Sequence, residues 1–330
     1  MSEVGDGVRI PNPTLDLGLR TPLIPMYSEK QIIDKVRKQF GDSRAVIGIG
    51  DDAAVLDLPD GFSTVVCSDL LSENTHFRRS THPPDSIGFK AIAVNVSDVG
   101  AMGGTPSHCL ISLALPPGLE ASWFDGFSEG VGTACRKFEV SLVGGDTSEA
   151  ECIFVDACVI GRVRPERAVR RSGARPGDGV YVTGTIGGSA LGLRLLEAGR
   201  SDDPAIGRHL YPEPRHRIGL EIADRATSMI DISDGFSTDL GHLLAESEVS
   251  ARIEGSRIPL HPGSELDLAL DSGEEYELIV TARELPSEID GVPITRVGEI
   301  IESGKTHQAF FRQNTRERIL DPKGWQHLGN

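Results

Sequence analysis

Basic residues are in short supply: Lys and Arg total 33 against 49 Asp and Glu, a formal net charge of −16 over 330 residues. No basic excess is available to displace counterions, which argues against unassisted binding of nucleic acid or an anionic membrane surface. Cysteine is sparse and odd in number, 5 in all (Cys67, Cys109, Cys135, Cys152 and Cys158), with no CxxC pair. That excludes a disulfide framework and fits buried thiols in a reducing cytosol. The 9 histidines form no HExxH and no His/Cys cluster, so a zinc site is not expected. No apolar run approaches the roughly 18 residues of a membrane helix. Met1 to Arg20 lacks a basic stretch followed by an apolar core, so no signal peptide is visible and a cytoplasmic location is expected. A GxxxxGK[ST] phosphate loop and a kinase catalytic-loop motif are absent too, as are internal repeats and low-complexity tracts.

Glycine, by contrast, is abundant: 38 residues of 330, well above the usual share of about 7%. The chain is long enough for two domains of roughly 150 residues each. Residues 1–27 carry Pro11, Pro13, Pro22 and Pro25 with little periodicity and read as an arm. A helix is predicted from Ser28, with Gln31 at capping-box spacing and the stripe Ile32, Ile33, Val36 and Phe40. Strand-like runs follow at Ala45–Ile49, Ala53–Leu58 and Ser63–Ser68. Then come a helix from Ser86 to Met102 closed by Gly103-Gly104 with Pro106 as a stop, a strand His108–Leu115, a helix Glu120–Phe138, and strands Val140–Val143 and Cys152–Val163. A second cycle starts after Pro165, with strands at Asp178–Thr183, Ser228–Ile232, Val249–Ile253, Glu275–Thr281 and Ile294–Gly298. Its helices are Gly188–Ala198, Arg215–Ala226 and Gly235–Ala245. Interleaved helices and strands predict an α/β (α+β) protein with an arm at 1–27, one domain at 28–164 and another at 165–330.

Aspartates recur beside small residues at the ends of these elements: Gly50-Asp51-Asp52, Ser68-Asp69, Ser97-Asp98, Gly144-Gly145-Asp146-Thr147 and Asp231-Ile232-Ser233-Asp234-Gly235. Any one of them is more often a turn or helix cap than a ligand. Their number and comparable positions favour a shared site, since short carboxylates on apolar elements are costly to bury unpaired. Asp98 is the sharpest case, set in a helix apolar nearly all round, with Asn95 one turn earlier. Hard carboxylate oxygens with Gly-rich loops suit Mg²⁺ and polyphosphate.

Taken in order, the segments resemble the thiamine-monophosphate kinase family, of the ATP-binding superfamily that also holds aminoimidazole ribonucleotide synthetase and selenophosphate synthetase. The resemblance runs from about residue 28 to 328. It rests on Gly48-Ile49-Gly50-Asp51-Asp52-Ala53-Ala54-Val55, on Ser68-Asp69-Leu70-Leu71 with His76-Phe77, and on Lys90 through Asp98. Ala101-Met102-Gly103-Gly104-Thr105-Pro106, Gly144-Gly145-Asp146-Thr147, Arg171 through Asp178, Tyr181-Val182-Thr183-Gly184, Asp231 through Gly235 and Gly273 through Leu278 complete it. It implies a two-domain aminoimidazole ribonucleotide synthetase-like fold, with an N-terminal mixed sheet and helices used for dimerisation and a C-terminal α/β domain. It also implies phosphoryl transfer from ATP to thiamine phosphate, several Mg²⁺ ions and a homodimer. Matched to the family's motifs, Asp52, Asp69, Asp98, Asp146, Asp231 and Asp234 fall at metal positions. Ser68, Gly145, Asp146, Arg171 and Ser233 fall at ATP positions, and His76, Glu274 and Trp325 at substrate positions. No general base is expected, because the acceptor phosphate has a second pKa near 6 and is largely ionised already.

Three features depart from the family pattern: Glu275 stands where a shorter acid is usual, Cys67 stands at a small or hydroxylic position, and the arm is additional. Two other readings compete. An ATP-dependent cyclo-ligase of the sister branch is disfavoured by the Gly273–Leu278 run, and a non-enzymatic acidic metal-binding module by the absence of EF-hand spacing.

Overall fold

The computed structural model describes Tyr27, residues 29–41, Leu56, residues 59–304 and residues 306–325. The Ser28 cap, the strands expected at Ala45–Ile49 and Ala53–Leu58, Asp52 and almost all of the arm lie outside the described residues.

The first half comprises α1 (Glu29–Phe40), β1 (Ser63–Ser72), α2 (Pro84–Ala101), β2 (Thr105–Leu115), α3 (Ala121–Phe138), β3 (Ser141–Glu149) and β4 (Phe154–Val163). Its strands form a mixed sheet in the order β1-β4-β2-β3, with β2 and β3 parallel and the other pairs antiparallel. Residues alternate between faces along β4, where Val155, Ala157 and Val159 are fully buried. They join Ile92, Val96, Phe124 and Phe127 of the helices in one core. Ile32 of α1 is buried against this core, whereas Ile33 is 45% exposed.

The second half comprises β5 (Gly179–Thr183), α4 (Gly188–Glu197), α5 (Pro204–Leu210), α6 (His216–Ile222), β6 (Ala226–Asp231), α7 (Phe236–Glu246) and β7 (Ser250–Glu254). It continues with α8 (Leu266–Asp271), β8 (Leu278–Ala282), β9 (Glu288–Ile289), β10 (Val292–Ile301), β11 (Ala309–Gln313) and β12 (Arg316–Ile319). The sheet order is β12-β11-β7-β10-β5-β8-β6, with β9 on β10. Strands β5 and β8 are buried at every position, which suits their Val- and Ile-rich sequences to the covered centre of a sheet.

Several expectations change. Pro106 does not sit in a stop but within β2, beside a register shift that accommodates its missing N–H. Gly144 to Thr147 are not a loop: they continue β3, where a Cβ at Gly145 would overlap the Ile111 carbonyl oxygen of β2. Helix α4 buries Gly188, Ser189 and Gly192, while Leu191, Leu195 and Leu196 are only partly buried. Helices α5 and α8 and strands β9, β11 and β12 had no periodicity long enough to signal them.

Candidate active site

The apolar run of α2 is buried between the first sheet and the second half of the chain, and its polar residues Lys90, Ser97 and Asp98 meet the second half at a cleft between them. Lys90, Val94 and Asp98 recur at helical spacing on one face, with Lys90 and Asp98 roughly 12 Å apart along the axis. Ser97 beside them donates to the buried carboxylate of Asp231 at 2.6 Å, which ties α2 to the end of β6. The cleft encloses a cavity of about 740 Å³ whose walls include Asp69, Asp98, Asp231, Asp234, His76 and Trp325.

One end of the cavity is acidic. Asp98 and Asp69 share a hydrogen bond that favours the proton on Asp98, and the charge of Asp231 further disfavours ionisation of Asp98. Burial, followed by the charges of Asp231 and Asp69, pushes Asp98 up to about 8. Asp231 is pushed up to about 6, mainly by burial; the Ser97 hydrogen bond and the charge of Arg171 act in the opposite direction. Asp69 is raised by burial and by Asp156 and Asp234. Carboxylates gathered this tightly, without enough cationic side chains among the described residues to neutralise them, have the donor chemistry of a Mg²⁺ site.

The loop after β6 is held from below. One carboxylate oxygen of the buried Asp239 accepts the backbone N–H groups of Ser233 (3.1 Å), Asp234 (3.0 Å) and Gly235 (3.0 Å). These N–H groups therefore cannot turn back onto Asp231 or Asp234. Asp239 also has ligand-type atoms within 4.8 Å of Asp234 and the exposed His242, a grouping that no sequence motif announced. The opposite side of the loop meets the segment Glu274–Glu277, with Glu274 N–H donating to Ser233 and Tyr276 N–H to Ile232. Glu274 and Tyr276 both have left-handed backbones (φ 59° and 53°), a conformation non-glycine residues keep only where the surroundings enforce it.

The other end of the cavity is a carboxylate over a buried base layer. Lys90, 1% exposed, donates to both oxygens of Glu274 at 3.1 and 3.2 Å. His209 Nδ1 lies 3.3 Å from Glu274 and 3.0 Å from the Ser189 hydroxyl, and its Nε2 meets Nε2 of His82 at 3.2 Å. Burial, reinforced by the charge of Lys90, lowers His82 to about 3 and His209 further, so both rings are neutral. His76 accepts the Ser72 N–H on Nδ1 at 3.0 Å, which puts its proton on Nε2. Phe77, Val94 and Leu193 supply the apolar lining, and Trp325 stands at the wall 51% exposed.

The cavity thus brings together Asp69, Asp98, Asp231, Asp234, Ser233, His76, Glu274 and Trp325. Ser68, Gly145, Asp146 and Arg171 are not on its wall. Ser68 points to the outer face of the first sheet, donating to Asp156 at 2.8 Å, and Asp146 is exposed on β3 in register with Ser112 and, through it, Asp156. Asn95 turns back onto its own helix, donating to the Ala91 carbonyl. Sequence reasoning assigned no role to Lys90, His209, Asp239 or Asp156. The Lys90–Asp98 spacing was a usable signal for the first of these, while His209 and Asp239 gain their partners only through the fold.

These two sheets and the acidic cleft between them define a class. The family model for the N-terminal domain of AIR synthase related proteins matches residues 50–163, and that for the C-terminal domain matches residues 175–307. Within that class the chain belongs to the thiamine-monophosphate kinase family. It is 36% identical over 316 residues to the thiamine-monophosphate kinase of Escherichia coli K12, covering 89% of this chain and 95% of that one. The structure of AaThiL complexed with AMPPCP and TMP superposes with a TM-score of 0.73 at 33% identity, covering 95% of this chain and 100% of that one. The thiamine-monophosphate kinase of Stenotrophomonas maltophilia K279a gives a TM-score of 0.74 at 32% identity, covering 82% of this chain and 93% of that one.

Proposed function

We propose that this chain transfers the γ-phosphate of ATP to thiamine phosphate, forming thiamine diphosphate and ADP. The observation that carries this reading is the cavity itself, with crowded buried aspartates at one end and a carboxylate, neutral histidines and aromatic rings at the other. The thiamine-monophosphate kinases of Escherichia coli K12 and Aquifex aeolicus are each 36% identical to this chain and are covered over 95% and 97% of their own lengths. The experiment is isotopic. Label placed in the γ-phosphate of ATP should be recovered in thiamine diphosphate; label recovered only as inorganic phosphate, as a cyclo-ligase would leave it, overturns the reading.

Asp69, Asp98, Asp231 and Asp234, on the cavity wall, would hold Mg²⁺, with Asp52 and Asp146 as further family-matched metal positions, Asp146 lying exposed on β3 rather than on that wall. When bound, the metal supplies the positive charge that lets two phosphate groups approach. The chain's own residues then do the rest by placement. Asp239 and Ser97 fix the directions of the loop and of Asp231, so little reorganisation is needed as charge moves. Ser68, Gly145, Ser233 and Arg171 serve the nucleotide, Arg171 adding a fixed positive charge beside Asp231. Glu274, kept in place by Lys90, faces the cationic acceptor. His76 offers an Nε2–H to its phosphate, and Trp325 offers a ring face to its aromatic rings. No group needs to remove a proton, since the acceptor oxygen is already ionised.

The arm at 1–27 is additional to domains at 28–164 and 165–330; the two sheets, whose strands fall within residues 63–163 and 179–319, support this division. The homodimer forms through the outer face of the first sheet, where Val66 (64% exposed) and Leu70 (51%) leave apolar surface in solvent. The protein works in the cytoplasm; among the described residues no helix is long and apolar enough to cross a membrane.

A further inference from the structure

The last described residues of the chain lie across the start of α7 in an arrangement that no motif foretold. After β12 the chain turns inward at Leu320, whose side chain is buried, and residues 323–325 then run along the acidic loop. Three backbone N–H groups in succession find partners there: Lys323 donates to the Ser237 hydroxyl (3.3 Å), Gly324 to the Thr238 hydroxyl (3.0 Å) and Trp325 to the Asp234 carbonyl (2.9 Å). Ser237 and Thr238 are buried, 1% and 5% exposed, and Ser237 also donates to Asp271 on the cavity wall at 2.7 Å. Gly324 fits because it has no side chain. A Cβ there would overlap the Asp234 carbonyl oxygen and come within 2.6 Å of the Thr238 hydroxyl.

We propose that Thr238 and Gly324 are positioning residues for the acceptor substrate, clasping the C-terminal strap so that Trp325 forms a fixed wall of the cavity next to Asp234. This rests on the reading above and adds to it the source of the aromatic wall's rigidity. The Trp325 ring is half exposed at the cavity wall, and the clasp sets where its backbone stands. The strap bonds to the same loop that Asp239 holds, so its position follows that loop while the loop itself is fixed independently by Asp239.

The test uses the two tryptophans of the chain. Trp123 is buried in α3 against Phe127 and is not part of the cavity wall, so Trp123→Phe leaves Trp325 as the sole indole emitter. In that background, Thr238→Val keeps the side-chain shape but deprives the Gly324 N–H of its acceptor. Acrylamide should quench Trp325 more strongly before any ligand is added. The quench on titrating thiamine phosphate should need about tenfold more ligand, and KM for thiamine phosphate should rise by the same factor, the size of one lost stacking or cation–π contact. KM for ATP and kcat should stay within about twofold. Thr238→Ser, which keeps the hydroxyl, should restore parental behaviour, and Gly324→Ala, acting from the strap side, should reproduce Thr238→Val. Unchanged acrylamide quenching in Thr238→Val overturns the clasp. A loss of kcat and of both substrates' binding together, with a lower melting temperature, also overturns it, because that marks a merely structural residue. A parent chain that releases no ADP in response to thiamine phosphate refutes the proposed reaction instead, and the acrylamide result is read independently of it.

Discussion

At the level of single residues the site is a conflict between folding and binding. Asp98 is held protonated, with a pKa near 8, by burial and by Asp231 and Asp69. Folding pays for that crowding, and a divalent cation at the proposed site would relieve it. Asp98→Asn should therefore raise the melting temperature of the metal-free chain by roughly 2–5 °C while lowering turnover by at least about 100-fold, a pairing checked by calorimetry beside a rate assay. Asp146→Asn should abolish transfer with no change in melting temperature, since Asp146 is exposed and its one described hydrogen bond is the local one from the Thr147 N–H. Near-normal turnover at ordinary Mg²⁺ would remove Asp146 from the ligand set. The aspartates were legible in the sequence because each sits in a short motif with its own glycine or serine. The roles of Lys90 and His209 were not, because their partners lie far along the chain: Lys90 shares a helix face with Asp98 but meets Glu274, and His209 meets His82.

Among the elements, the substitution of Glu275 for a shorter acid has a physical use. Its carboxylate reaches the start of α4, where one oxygen accepts the N–H groups of Gly187 (2.9 Å) and Ser189 (3.1 Å). Ser189, Ala190 and Leu193 of that helix line the cavity, so the longer arm anchors a wall of the site. Burial pushes Glu275 up to about 7, against the opposing charge of Arg208 and the two N–H groups. A carboxyl whose folded pKa is raised stabilises the fold fully below its unfolded value near 4.5, and that contribution is lost as pH rises through about 7. Glu275→Gln should flatten the fall in melting temperature between about pH 4.5 and 7; a variant with the parental slope would assign the pH dependence elsewhere. Helix and strand placement was largely legible where periodicity ran long, as in α3 and β4, and in α2 from its long apolar run closed by Gly103-Gly104. It failed at α5 and α8, which are too short to show a period, and at β3, where Gly144 and Gly145 read as a loop but sit against β2.

For the whole molecule, a net charge of −16 disfavours nucleic acid and membranes yet suits a nucleotide enzyme whose acids meet phosphate through a metal. The two-domain α/β order followed from the alternation of elements, but the cleft between the halves did not, since it depends on α2 being buried against both. The dimer proposed through the outer face of the first sheet is tested by Val66→Glu with Leu70→Glu, which should give a monomer by light scattering where the parent chain gives a dimer; an unaltered mass would place the interface elsewhere. The central claim is tested most directly by ADP release from ATP with thiamine phosphate, with free thiamine and with no acceptor. ADP should form at a substantial rate only with thiamine phosphate. Equal ADP release in all three mixtures would contradict the account.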